Sequence, residues 1–122
     1  KLYFTSLNAT GYRKLYAIDT SNNVTLVSNM VASNHDDPRY LSTWDYNEDG
    51  TADYLVFGAR KSNVAAHKLF VMDTSENIEQ VSDILPGGDD NPGLGASFRG
   101  DYYFPAHGTS NSLIKLMRLR RH

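Results

Sequence analysis

Short apolar runs broken by polar turn clusters set the rhythm of this chain. Segments rich in Tyr, Phe, Val, Ile and Leu alternate with groups of Asn, Asp, Gly, Ser and Pro, which is the punctuation of β-strands. No window of about eleven residues carries helical periodicity. Val24–Val31 is long enough for two helical turns, but Asn22 and Asn23 precede it and its Val and Thr residues favour a strand. The pattern predicts strands over residues 2–6, 13–19, 24–30, 40–45, 53–58, 67–73, 78–84, 94–99, 101–105 and 113–119.

The pattern repeats. Lys14-Leu-Tyr-Ala-Ile-Asp-Thr-Ser21 returns 54 positions later as Lys68-Leu-Phe-Val-Met-Asp-Thr-Ser75. Val27–Val31 aligns with Val81–Leu85, Pro38 with Pro92, and Trp44 with Phe98. A third, partial copy sets Asp101-Tyr-Tyr-Phe104 against Asp53–Phe57, and Lys68-Leu69 recurs as Lys115-Leu116 at an offset of 47. The offsets differ because Trp44 reaches the next strand through the long segment Asp45–Ala52, whereas Phe98 reaches Asp101 through Arg99-Gly100 alone.

Four short antiparallel strands recurring every 40–50 residues or so predict all-β structure made of β-propeller blades. The expected division of the single segment 1–122 is a partial blade at 1–31, a full blade at 39–85 and a partial blade at 94–119. That is about two and a half blades where propellers use about four to eight. Because both ends fall within a blade, a fragment of a longer chain is expected. Self-association of copies is the other way to complete a ring.

Two resemblances point the same way. Lys68-Leu-Phe-Val-Met-Asp-Thr74, Val81-Ser-Asp-Ile-Leu-Pro-Gly-Gly-Asp-Asp-Asn-Pro92 and Asp101-Tyr-Tyr-Phe104 together resemble the bacterial ELWxxDGT repeats. Lys stands in place of the family's Glu, Leu-Tyr or Leu-Phe in place of Leu-Trp, and Asp-Thr-Ser in place of Asp-Gly-Thr. The resemblance implies propeller-like structure in large secreted or surface proteins, and thus an extracellular, bacterial setting.

The strongest chemical pattern is Asp45-Tyr-Asn47-Glu-Asp49-Gly50-Thr51-Ala-Asp53. Calcium takes six to eight hard oxygen ligands at roughly 2.3–2.6 Å, and oxygens at alternate loop positions with a Gly at the sixth suit it. Asp45, Asn47, Asp49, the Thr51 carbonyl and Asp53 fill those positions. The twelfth position, the bidentate Glu of an EF-hand, is Val56 here. The expected affinity is therefore modest, about 10⁻⁵–10⁻³ M, a range filled outside cells. With strand-forming flanks, Leu41–Trp44 and Tyr54–Gly58, the loop resembles those of FG-GAP propellers, including integrin α-chains. That resemblance implies that the same five positions hold calcium.

Composition narrows the function further. The chain is 40% hydrophobic and 21% charged with net charge −2, a folded composition with no field to attract nucleic acid or anionic membrane. No apolar run is long enough to span a bilayer. There is no cysteine, which removes disulfides and thiolate chemistry. The chain begins at Lys1 without Met, as expected for a processed or cut boundary. The sequons at Asn8 and Asn23 read as chance.

Asp36-Asp37 and Asp89-Asp90 stand just before the two prolines and read as turn chemistry, with paired acid–base carboxylates as the functional alternative. His35, His67, His107 and His122 lack metal-ligand spacing. Trp44, Phe57, Phe98 and Phe104 are expected in the core rather than as a sugar-stacking platform. Lys115–His122 reads as a charged edge strand, with acidic glycans as an alternative partner. The reading is a non-catalytic calcium-binding module for binding or scaffolding with an unknown protein or glycan partner. The alternative is a carbohydrate-binding or polysaccharide-cleaving propeller protein.

Overall fold

Where apolar side chains alternate along these runs, one half of each run faces one neighbour and the other half faces the opposite one. The computed structural model describes residues 1–108 and 113–120. Among these described residues lie ten strands: β1 (Leu2–Leu7), β2 (Arg13–Ile18), β3 (Val24–Leu26), β4 (Arg39–Trp44), β5 (Tyr54–Ala59), β6 (Lys68–Met72), β7 (Ile78–Gln80), β8 (Ala96–Phe98), β9 (Asp101–His107) and β10 (Ile114–Leu119). They form three antiparallel sheets: β1-β2-β3 (sheet 1), β4-β5-β6-β7 (sheet 2) and β10-β9-β8 (sheet 3). None of the described residues is helical, so the all-β expectation holds.

The repeat survives in the ladders. Phe4 pairs with Tyr16, Phe57 with Phe70 and Phe104 with Met117. Tyr3 pairs with Ala17, Val56 with Val71 and Tyr103 with Arg118. We call the face carrying Leu15, Leu69 and Leu116 the front of its sheet, and the face carrying Phe4, Phe57 and Phe104 the back.

Sheet 2 is covered on both faces. Its front residues Trp44, Val56, Leu69 and Val71 share a buried cluster with the back of sheet 3, through Tyr102, Phe104 and Ala106. Its back residues Phe57, Ala59, Phe70 and Met72 cluster with Leu15 on the front of sheet 1. All five residues of β6 are therefore buried. Full burial of one large apolar side chain contributes about 1.5–3 kcal/mol, so these two contacts carry most of the apolar stabilisation.

The junctions between sheets are built around a buried ion pair. Lys14 Nζ lies 2.9 Å from Asp36 Oδ1, with both side chains almost wholly excluded from solvent. The ammonium also donates to Val31 O at 2.6 Å. Asp36 accepts from Ser28 Oγ and from Val31 N, each at 2.7 Å. The second copy repeats this arrangement 54 residues on. Lys68 Nζ donates to Asp90 Oδ1 at 3.0 Å and to Leu85 O at 2.8 Å, and Asp90 accepts from Ser82 Oγ at 2.7 Å.

The backbone of each aspartate joins two sheets. Asp36 N donates to Arg13 O beside sheet 1, and its carbonyl accepts from Arg60 N at the end of sheet 2. Asp90 N donates to His67 O, and its carbonyl accepts from His107 N in sheet 3.

This network explains the largest departure from the expected strands. The apolar pattern runs to residues 30 and 84, but β3 stops at Leu26 and β7 at Gln80. Beyond these points one backbone bond persists, from Val27 N to Leu15 O and from Val81 N to Leu69 O, and a serine side chain takes the place of the other. Leu15 N donates to Ser28 Oγ at 2.9 Å, and Leu69 N to Ser82 Oγ at 2.8 Å. The reading of the acidic pairs also changes. Asp36 corresponds to Asp90, so the two pairs are out of step by one residue. Both residues are buried ionic groups rather than turn acids.

Removing one partner of a buried ion pair costs about 3–5 kcal/mol because a charge is left uncompensated. Lys14→Met is expected to lower unfolding free energy by that amount in urea titrations. Lys115, the third copy, is exposed, and Lys115→Met is expected to change stability by less than about 0.5 kcal/mol.

Candidate functional site

The segment Asp45–Asp53 lies between β4 and β5, and Asp53 N donates to Trp44 O at 2.9 Å across its neck. Its polar side chains fold over their own backbone, as Asx-type turns do. Asp45 Oδ1 accepts from Asp49 N at 3.2 Å and its Oδ2 from Gly50 N at 2.8 Å. Asn47 Oδ1 accepts from Asp49 N at 3.2 Å, Asp49 Oδ1 from Thr51 N at 2.8 Å, and Asp53 Oδ2 from Tyr46 N at 3.1 Å. Gly50 has φ 86°, the left-handed conformation that a sixth-position glycine supplies.

The oxygens in this loop have the hard chemistry calcium prefers, and each hydrogen-bonded oxygen retains a second lone pair. Among the described residues, however, no three His, Cys, Asp or Glu side chains lie close enough together to hold a metal ion. The donor types fit a cation, while the carboxylates of Asp45, Asp49 and Asp53 face backbone N–H groups rather than a common centre. Val56, the twelfth position, is fully buried between sheets and supplies no ligand.

The loop also touches sheet 3. Asp45 N donates to Ser97 Oγ at 3.2 Å, and Trp44 Nε1 donates to Gly100 O at 2.9 Å. Gly100 belongs to the tight Arg99-Gly100 turn, where φ is 50° and 81°. A Cβ there would lie 2.7 Å from Tyr46 O, so the close approach of loop and turn requires glycine. The loop therefore sits on the joint between sheets 2 and 3. Asp53 also lines an open cleft of about 310 Å³ with Lys1, Tyr3 and Asp73. Burial, followed by the hydrogen bond to Glu76 and its charge, pushes the Tyr3 hydroxyl up to about 12.

The other candidates disperse. His35 Nδ1 accepts from Arg13 N at 2.8 Å, and His107 Nδ1 lies 2.8 Å from Asp89 O. Asp89 Oδ1 accepts from His67 N at 2.9 Å, the place His35 takes in the first copy. Each of these groups closes a junction. His122 and Arg121 lie outside the described residues. Trp44, Phe57 and Phe104 are buried, but Phe98 is 60% exposed. It lies beside Tyr103 and under the Arg99 guanidinium, so the core expectation fails at that position. Among the described residues β10 stands at the edge of the order β10-β9-β8, as expected for the part of Lys115–His122 that lies in it. No helix among the described residues is long and apolar enough to cross a membrane.

Sequence reasoning missed Lys14, Ser28, Lys68 and Ser82, although their common spacing to Asp36 and Asp90 is visible in the repeat. It also missed the pairing of His67 Nε2 with Asp37 Oδ2 at 2.8 Å. His67 is buried, and its Nδ1 has no hydrogen-bond partner among the described residues.

Burial, then the nearby charge of Arg39, holds the His67 imidazole below its ordinary value against the opposing pull of Asp37 and Asp89. Burial raises the Asp90 carboxyl, but hydrogen bonds from Leu85, Ser82, Lys68 and Ile84 outweigh it and hold the group below the usual range. In both cases the unfolded chain binds the proton more readily, so acid destabilises the fold. The His67 contribution is full above the unfolded value of 6.5 and is lost as pH falls toward the folded value. The Asp90 contribution is lost further down, below 3.8. Denaturant titrations across this range are expected to show two declines, and His67→Gln to remove the first alone.

Comparison with protein-family models, curated proteins and solved structures found no match to this chain.

Proposed function

We propose that this chain is a segment of a β-propeller repeat protein, acting outside the cell as a non-catalytic module for binding or scaffolding. The observation that carries the reading is the repeated junction. Sheet 1 meets sheet 2, and sheet 2 meets sheet 3, through the same front-to-back packing and the same buried Lys–Ser–Asp network. A repeat stacked by one rule is the physical basis of propellers and other repeat architectures.

Calcium belongs to this proposal as a stabiliser. Asp45, Asn47, Asp49 and Asp53 would supply side-chain oxygens and Thr51 its carbonyl. An ion there neutralises an exposed acidic loop that already bridges sheets 2 and 3. A second reading, carbohydrate binding, is favoured by one feature. Phe98 is exposed beside Tyr103 and Arg99, a surface on which a sugar ring can stack.

Calcium is expected to raise the melting temperature over that in EDTA, magnesium to do so less, and Asp49→Ala to abolish the effect. At 100 times the dissociation constant the stabilisation is about 2.7 kcal/mol. An unchanged melting temperature removes calcium from the reading. Retention on a glycan array that is lost in Phe98→Ala would favour the carbohydrate reading.

A further inference from the structure

His67 takes part in both junctions. It stands just before β6, where its N donates to Asp89 Oδ1 at 2.9 Å and its O accepts from Asp90 N at 3.1 Å. These bonds tie its backbone to the segment that leads from sheet 2 to sheet 3. Its side chain reaches the other connection. Nε2 lies 2.8 Å from Asp37 Oδ2, in the segment that leads from sheet 1 to sheet 2, and only 7% of the side chain is exposed. The link has no counterpart one copy on, because Asn91 stands in the place of Asp37 and Ile114 in the place of His67. The imidazole at that junction is His107, whose Nδ1 lies 2.8 Å from Asp89 O. A carbonyl only accepts, so Nδ1 carries the hydrogen there and a second proton enters at Nε2 with the bond intact.

The chemistry of the His67 ring makes its link conditional. A carboxylate only accepts, so Nε2 donates to Asp37 and a second proton must enter at Nδ1. That atom is buried, with no hydrogen-bond partner among the described residues. Charges face the ring from three elements: Arg39 from β4, Asp37 from the first connection and Asp89 from the second. Arg13 Nε, 3.9 Å from Asp37, offsets part of that carboxylate's pull. Asp89 is engaged by the N–H groups of His67 and Asn91. A buried cation without an acceptor is costly. We propose that His67 is a pH-sensitive latch: its protonation releases Asp37 and loosens sheet 1 from sheet 2, while the junction of sheets 2 and 3 stays closed.

The released ring swings toward water, which supplies the acceptor that Nδ1 lacks in place. Burial and Arg39 hold the latched imidazole below its ordinary 6.5, so the proton favours the released form. The latch is therefore held in full above 6.5. Between that value and the latched one, the opening constant rises by up to about tenfold for each unit that the pH falls. The Lys14–Asp36 pair keeps the first connection on sheet 1. The bond that loosens is the one to sheet 2, from Arg60 N to Asp36 O. This inference goes beyond the proposed function and depends neither on the propeller reading nor on calcium.

Two equivalent bonds supply the readout: Arg60 N to Asp36 O at the first junction and His107 N to Asp90 O at the second. Hydrogen exchange of the two amides is followed by NMR as the pH is lowered through 6.5, with each rate divided by the intrinsic rate at that pH. Protection of Arg60 is expected to fall by up to about tenfold per pH unit, and that of His107 to stay constant. The fall is expected to coincide with the titration of the His67 ring resonances in the unaltered chain, so the test does not depend on a variant folding. His67→Gln is expected to hold Arg60 protection constant. His35 is the other imidazole at this junction, its Nδ1 accepting from Arg13 N, and His35→Gln is expected to leave the fall in place. Arg60 protection that is independent of pH overturns the latch, as does an equal fall at His107. A fall that survives His67→Gln, that disappears in His35→Gln, or that does not coincide with the His67 titration also overturns it.

Discussion

Each junction between sheets depends on a lysine ammonium and an aspartate carboxylate held out of water. Desolvating two charges costs several kcal/mol per ion, and their attraction repays it only when the remaining hydrogen-bonding capacity is used. Here it is used. The Asp90 carboxylate accepts from Lys68 Nζ, Ser82 Oγ, Leu85 N and Ile84 N. Such a pair need not add net stability over an apolar replacement. It does tie the connecting segment to its sheet, because Val31 N and Leu85 N donate to the aspartates that hold the lysines of β2 and β6. The aspartate backbone, bonded forward and backward to adjacent sheets, turns that local geometry into a rule for stacking.

Apolar packing then follows the rule. With the junction fixed, the front of one sheet meets the back of the next, and alternation along each strand delivers apolar side chains to both interfaces. Sheet 2 shows the full consequence in β6, where every residue is buried. The Asp45–Asp53 loop adds a further tie at one junction, through Ser97 and Gly100. The short Arg99-Gly100 turn at the equivalent place in sheet 3 is what that tie grips.

Much of this was legible in the sequence. The repeat located the strands, and the Arg99-Gly100 dipeptide located a tight turn. The burial of Asp36 and Asp90 was hidden because an Asp-Asp-Pro or Asp-Asp-Asn-Pro string has the composition of a solvent-exposed turn. Their lysines lie 22 residues upstream, a separation at which no local pattern reports contact. Phe98 was misplaced for a related reason. Trp44 is buried against Tyr102 and bonds to Gly100 O, neighbours supplied by the next sheet, whereas Phe98 rests among Tyr103 and Arg99 of its own sheet. Identity of repeat position does not bring identity of neighbours.

The Asp45–Asp53 loop sets a different limit on inference from pattern. Oxygens at alternate positions and a left-handed glycine are what a cation requires, and they are equally what a chain of Asx-type hydrogen bonds requires. Both arrangements point side-chain oxygens into a tight turn, so spacing cannot separate them. Electrostatics can. Asp45, Glu48, Asp49 and Asp53 place four carboxylates within nine residues, with no lysine or arginine in the segment. Backbone N–H groups satisfy hydrogen bonding but carry no net charge, so the mutual repulsion is left to solvent and counterions. A divalent cation bound there would relieve that repulsion beside the backbone bond from Asp45 N to Ser97 Oγ. The loop is thus placed so that occupancy would tighten a junction whose ionic centre, Lys68–Asp90, is already complete without it.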